Sequence, residues 1–157
     1  MRALALTLAL IGVTFACDCN EDVQRLTPQQ KFCYLPYVLH LDVDNAKETT
    51  EGHKLDRHID YEITVHKVIQ NTRYEANEER PRKMKSFTAS ALCGIKLTTG
   101  EYVLSGGLNK NGVFEVNHCE MIEKIDDRRN KLGKALLETD CSKVPNPGLK
   151  LHLDRHH

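Results

Sequence analysis

The sequence predicts an all-β fold with flanking helices, built on a small five-stranded barrel and stapled by disulfides. Three observations predict it: short apolar runs that alternate with polar residues, a single late stretch of helical periodicity, and six cysteines spread from Cys17 to Cys141. Alternation with period two buries one face of a strand, whereas spacings of three and four bury one face of a helix. No repeat, low-complexity tract or linker divides the chain.

The first sixteen residues have a short basic start at Arg2, an apolar run from Ala3 to Val13 and the ending Thr14-Phe15-Ala16. That is the layout of a secretory signal peptide, and the apolar run is too short to span a bilayer comfortably. Cutting residues 1–16 from the 157 leaves 141, enough for one domain over residues 17–141 with a polar tail over 142–157. Without Arg2 the chain holds 21 basic and 22 acidic residues, a net charge of −1. That balance offers no field for nucleic acid or an anionic membrane. A secreted, extracellular monomer is expected.

Thr27-Pro28-Gln29-Gln30 combines a Thr cap, Pro in the first turn and Gln three residues after the cap, so a short helix carrying Phe32 and Cys33 starts there. Tyr37, Leu39, Leu41 and Val43 alternate with His40 and Asp42, the pattern of a half-buried strand. Asn45 to Arg57 reads as a long polar loop. Ile59, Tyr61, Ile63 and Val65 then repeat the strand period until Val68-Ile69 breaks it, as a bulge would. A charged segment from Asn77 to Lys85 precedes a shorter strand around Phe87. Thr99-Gly100 and Asn111-Gly112 are turns into Tyr102-Val103-Leu104 and Val113-Phe114-Glu115-Val116. Ile122, Ile125, Leu132, Ala135, Leu136 and Leu137 predict an amphipathic helix, densest from Arg128 to Glu138, with Cys141 fixing its end. Five short strands with few helical residues suggest the oligonucleotide/oligosaccharide-binding barrel, an architecture shared by unrelated functions.

All six cysteines, Cys17, Cys19, Cys33, Cys93, Cys119 and Cys141, follow the expected cleavage point. An even number in an exported chain argues for full pairing, and paired C-x-x-C hooks for zinc are missing. Spacing alone leaves fifteen connectivities open. The start CDCN at Cys17, Phe32-Cys33, the Tyr61 to Lys67 stretch, Ala91-Leu92-Cys93-Gly94, the Glu101 to Gly107 strand, Asn111-Gly112, Cys119, Arg128-Arg129 and Cys141 share one further property. In order and spacing they resemble the N-terminal, netrin-like domain of the tissue inhibitors of metalloproteinases, over nearly all the chain from Cys17 to Cys141.

The resemblance implies the pairs Cys17–Cys93, Cys19–Cys119 and Cys33–Cys141, each closing a loop worth at most roughly 4 to 5 kcal/mol in chain entropy. It also implies an inhibitory ridge of Cys17, Asp18, Cys19, Asn20, Ala91, Leu92, Cys93 and Gly94 that enters a protease cleft. There the α-amine and carbonyl of Cys17 chelate the protease's catalytic zinc. A free α-amine, with a reference pKa near 7.7 to 8, can release its proton to zinc. Implied partners are secreted or cell-surface zinc metalloproteases of the matrix or disintegrin type, and the protein needs no cofactor of its own.

This chain departs from the family pattern at two ridge positions. Asp18 replaces the usual Thr or Ser, and a carboxylate entering an apolar pocket beside the enzyme's glutamate meets desolvation and like-charge repulsion. Asn20 replaces an apolar residue, and the second six-cysteine domain of vertebrate members has no counterpart in this sequence. The alternative function is therefore a non-inhibitory netrin-like module that binds a receptor, channel, matrix component or immune regulator. No enzyme activity is expected, because no nucleophile motif such as G-x-S-x-G occurs and the cysteines are consumed in bridges. His40, His58, His66 and His118 read as ordinary surface or hydrogen-bonded histidines, and His152, His156 and His157 as a polar terminus. Arg128, Arg129, Lys131 and Lys134 read as a solvated helical face.

Overall fold

The computed structural model describes residues 17–50, 57–71, 80–89, 92–125 and 131–148. The expected leader, Ala91, Arg128, Arg129 and the histidines of the tail lie outside the described residues. Helix α1 (Glu21–Gln24) is capped by Asn20, whose side chain accepts the Asp22 amide. Helix α2 (Pro28–Tyr34) begins with the expected box: the Gln30 amide donates to Thr27 Oγ1, and the Thr27 amide donates to Gln30 Oε1. This reciprocal pairing satisfies two amides that a helix start otherwise leaves unpaired.

Seven strands follow: β1 (Tyr37–Thr49), β2 (His58–Asn71), β3 (Lys83–Phe87), β4 (Gly100–Ser105), β5 (Gly107–Leu108), β6 (Phe114–Glu115) and β7 (Ile122–Lys124). They form one sheet in the order β5-β6-β3-β2-β1-β4-β7, curled into an OB-like half-barrel. The five expected strands are β1, β2, β3, β4 and β6; β5 and β7 are short additions. Helix α3 (Leu132–Leu137) and a 3-10 turn (Cys141–Lys143) complete the described elements.

Two expectations are corrected. The polar loop from Asn45 is strand as far as Thr49, because Asn45 to Thr49 continue the antiparallel ladder to Glu62 through His58. Their side chains are mostly exposed, so hydropathy carries no trace of a ladder held by backbone bonds. Ile122 is not helical; it pairs with Leu104 in edge strand β7, and Ile125 follows that strand. A helix and a short edge strand both tolerate apolar residues three apart, and here the sheet takes them.

Period-two alternation places Leu39, Leu41, Val43, Ile59, Tyr61, Ile63, Met84, Tyr102, Leu104 and Phe114 in the interior of the curl. Phe114 is fully buried, its ring centroid 5.5 Å from that of Tyr37. Complete burial of such a side chain contributes about 1.5–3 kcal/mol. The opposite face of β1 and β4 is also covered at one end. Val38 and Val103 pack there with Phe32, Cys33, Leu35, Met121 and Leu136, so α2 and α3 close a second apolar layer. The Cys33–Cys141 bridge, with a Cα separation of 5.5 Å, ties α2 to the 3-10 turn, and Tyr34 Oη donates to the Val144 carbonyl at 2.6 Å.

Candidate functional site

The segment ahead of α1 is extended and too short to pack by itself. Two covalent bonds hold it: Cys17 to Cys93, with Cα atoms 5.2 Å apart, and Cys19 to Cys119, at 5.4 Å. The bridges touch, since Cys17 Sγ lies 3.6 Å and Cys93 Sγ 3.7 Å from Cys119 Sγ. Three segments distant in sequence therefore meet at one end of the sheet. All four sulfurs are engaged in disulfides, so the adjacent His118, whose Nε2 is 3.6 Å from Cys19 Sγ, has no thiolate set to complete.

The connector around Cys93 is not a strand, and its shape comes from specific bonds. The amides of Leu92 and Gly94 both donate to the Ala89 carbonyl, at 3.0 and 3.1 Å. Cys93 adopts φ 55°, a left-handed conformation rare outside glycine that costs roughly 1–2 kcal/mol. Its carbonyl accepts the His118 amide at 2.8 Å, and the neighbouring Cys119 amide donates to Asn117 Oδ1, also at 2.8 Å. Gly94 is required by space: a Cβ there would stand 2.0 Å from the Phe87 carbonyl oxygen.

Beyond Gly94 the connector is anchored on buried hydroxyls. Ser86 Oγ accepts the Ile95 amide at 3.0 Å, and Tyr61 Oη accepts the Leu97 amide at the same distance. Burial raises the Tyr61 hydroxyl above its ordinary pKa, with the Leu97 bond opposing that shift. On the other flank Ser105 Oγ donates to Glu120 Oε2 at 2.6 Å and accepts the Met121 amide at 2.9 Å, while Gln24 Nε2 donates to the Cys119 carbonyl. The sequence places Tyr61 only as a strand residue and gives none of these residues a supporting role. The only available signal was a polar residue on the apolar face of a strand, which Ser86 satisfies.

Of the eight expected ridge residues, the structure brings Cys17, Asp18, Cys19, Leu92, Cys93 and Gly94 into one neighbourhood. Asn20 continues it as the cap of α1, and Ala91 lies outside the described residues. Asp18 is exposed. Leu92 is 37% exposed, and among the described residues it is the single large apolar side chain so presented. A single exposed leucine is ordinary on a protein surface, so what sets Leu92 apart is its place beside the disulfide-bonded Cys93 rather than its exposure. His118 is exposed, and His58 is half-buried with its Nε2 3.3 Å from Asp60 Oδ2; His40 and His66, however, come together on the outer face of the sheet.

Comparison with known proteins adds a family. A family model described as "Tissue inhibitor of metalloproteinase" matches residues 15–139, well over half of the chain. A search of curated proteins gives no match.

Proposed function

Because the chain belongs to the tissue inhibitor of metalloproteinase family, whose members are inhibitors of metalloproteinases rather than enzymes, we propose that it inhibits a zinc metalloprotease by docking the ridge at Cys17 in the active-site cleft. Cleavage after Ala16 frees the Cys17 amine, and that nitrogen with the Cys17 carbonyl oxygen grips the protease's zinc. The observation that carries this reading is the double clamp. Cys17 is fixed to Cys93, next to exposed Leu92, and Cys19 is fixed to Cys119, so a chain start that would otherwise be mobile is held in one conformation. A group positioned before binding loses little entropy on binding, which is what a competitive wedge needs.

Asp18 sets the specificity of that wedge. It follows the chelating residue directly and would enter the pocket that receives the first side chain beyond the zinc. A protease offering a cation there is the matched target, and one with an apolar pocket is disfavoured by the cost of burying an unpaired carboxylate. The reading also places the protein outside the cell, against secreted or cell-surface targets of the matrix or disintegrin type.

The test uses the secreted protein with its N-terminus verified by mass. Against a panel of matrix and disintegrin-type metalloproteases, an alanine added before Cys17, or acetylation of its α-amine, abolishes inhibition while circular dichroism stays unchanged. Asp18→Thr strengthens inhibition of enzymes with apolar pockets. If neither the native protein nor the Asp18→Thr form inhibits any member at micromolar concentration, the wedge is wrong. Asp18 would then speak for a binding module that recognises a receptor, channel, matrix component or immune regulator.

A further inference from the structure

The outer face of the sheet holds a second constellation that shares no residue with the ridge. His40 on β1 lies opposite Lys67 of β2 on one side and Val103 of β4 on the other. The next β1 residue, Leu41, pairs with Val65, so His66 is an extra residue on β2 with no partner in the register. Such a bulge bends the strand and re-aims its side chain. Here the imidazole of His66 approaches that of His40, with ring centroids 4.9 Å apart and planes at 53°.

Carboxylates from two strands complete the group. Glu101, the first residue of β4 after Gly100, places Oε1 2.6 Å from His40 Nε2, and Asp42 places Oδ2 2.9 Å from His66 Nε2. Arg80 Nη1 donates to the carbonyls of Val65 and His66, at 3.3 and 3.2 Å, and so braces the bulge. One ligand atom from each of His40, His66 and Glu101 lies within 4.8 Å of the other two.

We propose that His40, His66 and Glu101 form a binding site for a divalent transition metal of the zinc, copper(II) or nickel type, with Asp42 orienting His66. Tetrahedral zinc with nitrogen and oxygen bonds near 2.0–2.1 Å sets its ligand atoms roughly 3.3 Å apart. Binding requires the 2.6 Å Glu101–His40 pair to open and the wider separations, all within 4.8 Å, to close. Two imidazoles with one carboxylate select these metals over calcium or magnesium, which prefer oxygen ligands. The His40 side chain is 17% exposed and that of His66 is 39% exposed, so one ligand is anchored in the sheet while the other borders solvent. Solvent access leaves a fourth coordination position for water or an incoming ligand.

Two separate histidine–carboxylate pairs are the plainer reading of these contacts. That reading accounts for each hydrogen bond but not for a bulge that sets the two imidazoles against each other. A metal uses the arrangement directly, taking the place of the proton between His40 and Glu101 while the His66–Asp42 hydrogen bond stays in place.

The experiment titrates the full mature chain with zinc against a chromophoric chelator and follows the cobalt(II) form by visible absorption. The expected result is one equivalent bound at micromolar or tighter affinity at the sheet site, with the ring signals of His40 and His66 shifting in nuclear magnetic resonance spectra. Each of His40→Gln and His66→Gln weakens that affinity at least tenfold, and Asp42→Asn weakens it several-fold. His118→Gln and a variant with His152, His156 and His157 replaced by Ala keep it. His66→Gln, at an exposed position, tests the site even if His40→Gln fails to fold. The proposal is overturned if zinc does not bind at millimolar concentration, if His66→Gln binds as well as the parent, or if replacing the tail histidines removes all binding.

Discussion

Replacing Gly94 by Ala tests whether the connector is held by close packing or only by its disulfide. The added Cβ would stand 2.0 Å from the Phe87 oxygen and 2.6 Å from the Phe87 carbonyl carbon, both backbone atoms that no rotamer change can remove. The turn must open by about 1 Å, an overpacking cost of roughly 1–3 kcal/mol. If the opening also breaks the 3.1 Å bond from the Gly94 amide to Ala89, about 1 kcal/mol more is lost. The expected total is about 2–4 kcal/mol, which lowers a urea midpoint by roughly 1–2 M for a slope near 2 kcal/mol/M. Gly112→Ala is the control: its φ of +71° favours glycine, but nothing lies within 4 Å, so only the conformational cost of about 1 kcal/mol applies. Urea unfolding of the oxidised proteins measures both. A Gly94→Ala midpoint at or above that of Gly112→Ala would refute the packing argument.

Four further outcomes follow from the same structure. Tyr61→Phe leaves the buried Leu97 amide without its acceptor and costs about 1–3 kcal/mol in chemical denaturation. Because burial raises the Tyr61 pKa in the folded state, its contribution is complete below the ordinary tyrosine value near 10 and is lost as pH rises through the folded value; ultraviolet titration should show one tyrosine ionising late, together with unfolding, and that step should be gone in Tyr61→Phe. Thr27→Ala removes the cap of α2 and lowers stability by about 1 kcal/mol in the same assay. Peptide mapping after alkylation without reduction should find no free thiol and the pairs Cys17–Cys93, Cys19–Cys119 and Cys33–Cys141; a Cys17–Cys19 bridge would remove the ridge.

Elements whose signals are local were legible in the sequence. The Thr27 box needs only four residues, and the alternation from Tyr37 to Val43 states which side of β1 is buried. The break at Val68-Ile69 is also real, since Leu39 pairs with Val68 and Val38 with Gln70, leaving Ile69 extra. What remained hidden depends on pairing between distant segments. The polar end of β1 is strand only because β2 lies beside it, and Ile122 is strand only because β4 does. The Cys17–Cys93 and Cys19–Cys119 pairing was legible through resemblance rather than through periodicity, because covalent pairing is not encoded in any local pattern. His40, His66 and Glu101 became neighbours through a three-strand register and a one-residue bulge, neither of which a linear reading contains.

The two-sided burial of β1 and β4 also separates two kinds of persistence. Val38 and Leu39 on β1, and Val103 and Leu104 on β4, are wholly buried although successive residues point to opposite faces, so no small displacement of either strand brings its ladder to water. Their amides should be the slowest in the molecule to exchange with deuterium, opening only with the whole domain. The connector at Leu92 to Gly94 belongs to no ladder, and the Leu92 and Gly94 amides share one carbonyl, that of Ala89. Those amides should exchange quickly even while the bridges keep the backbone in place. Slow exchange and fixed geometry thus come from different sources here, and a rapidly exchanging ridge is no sign of a loose one.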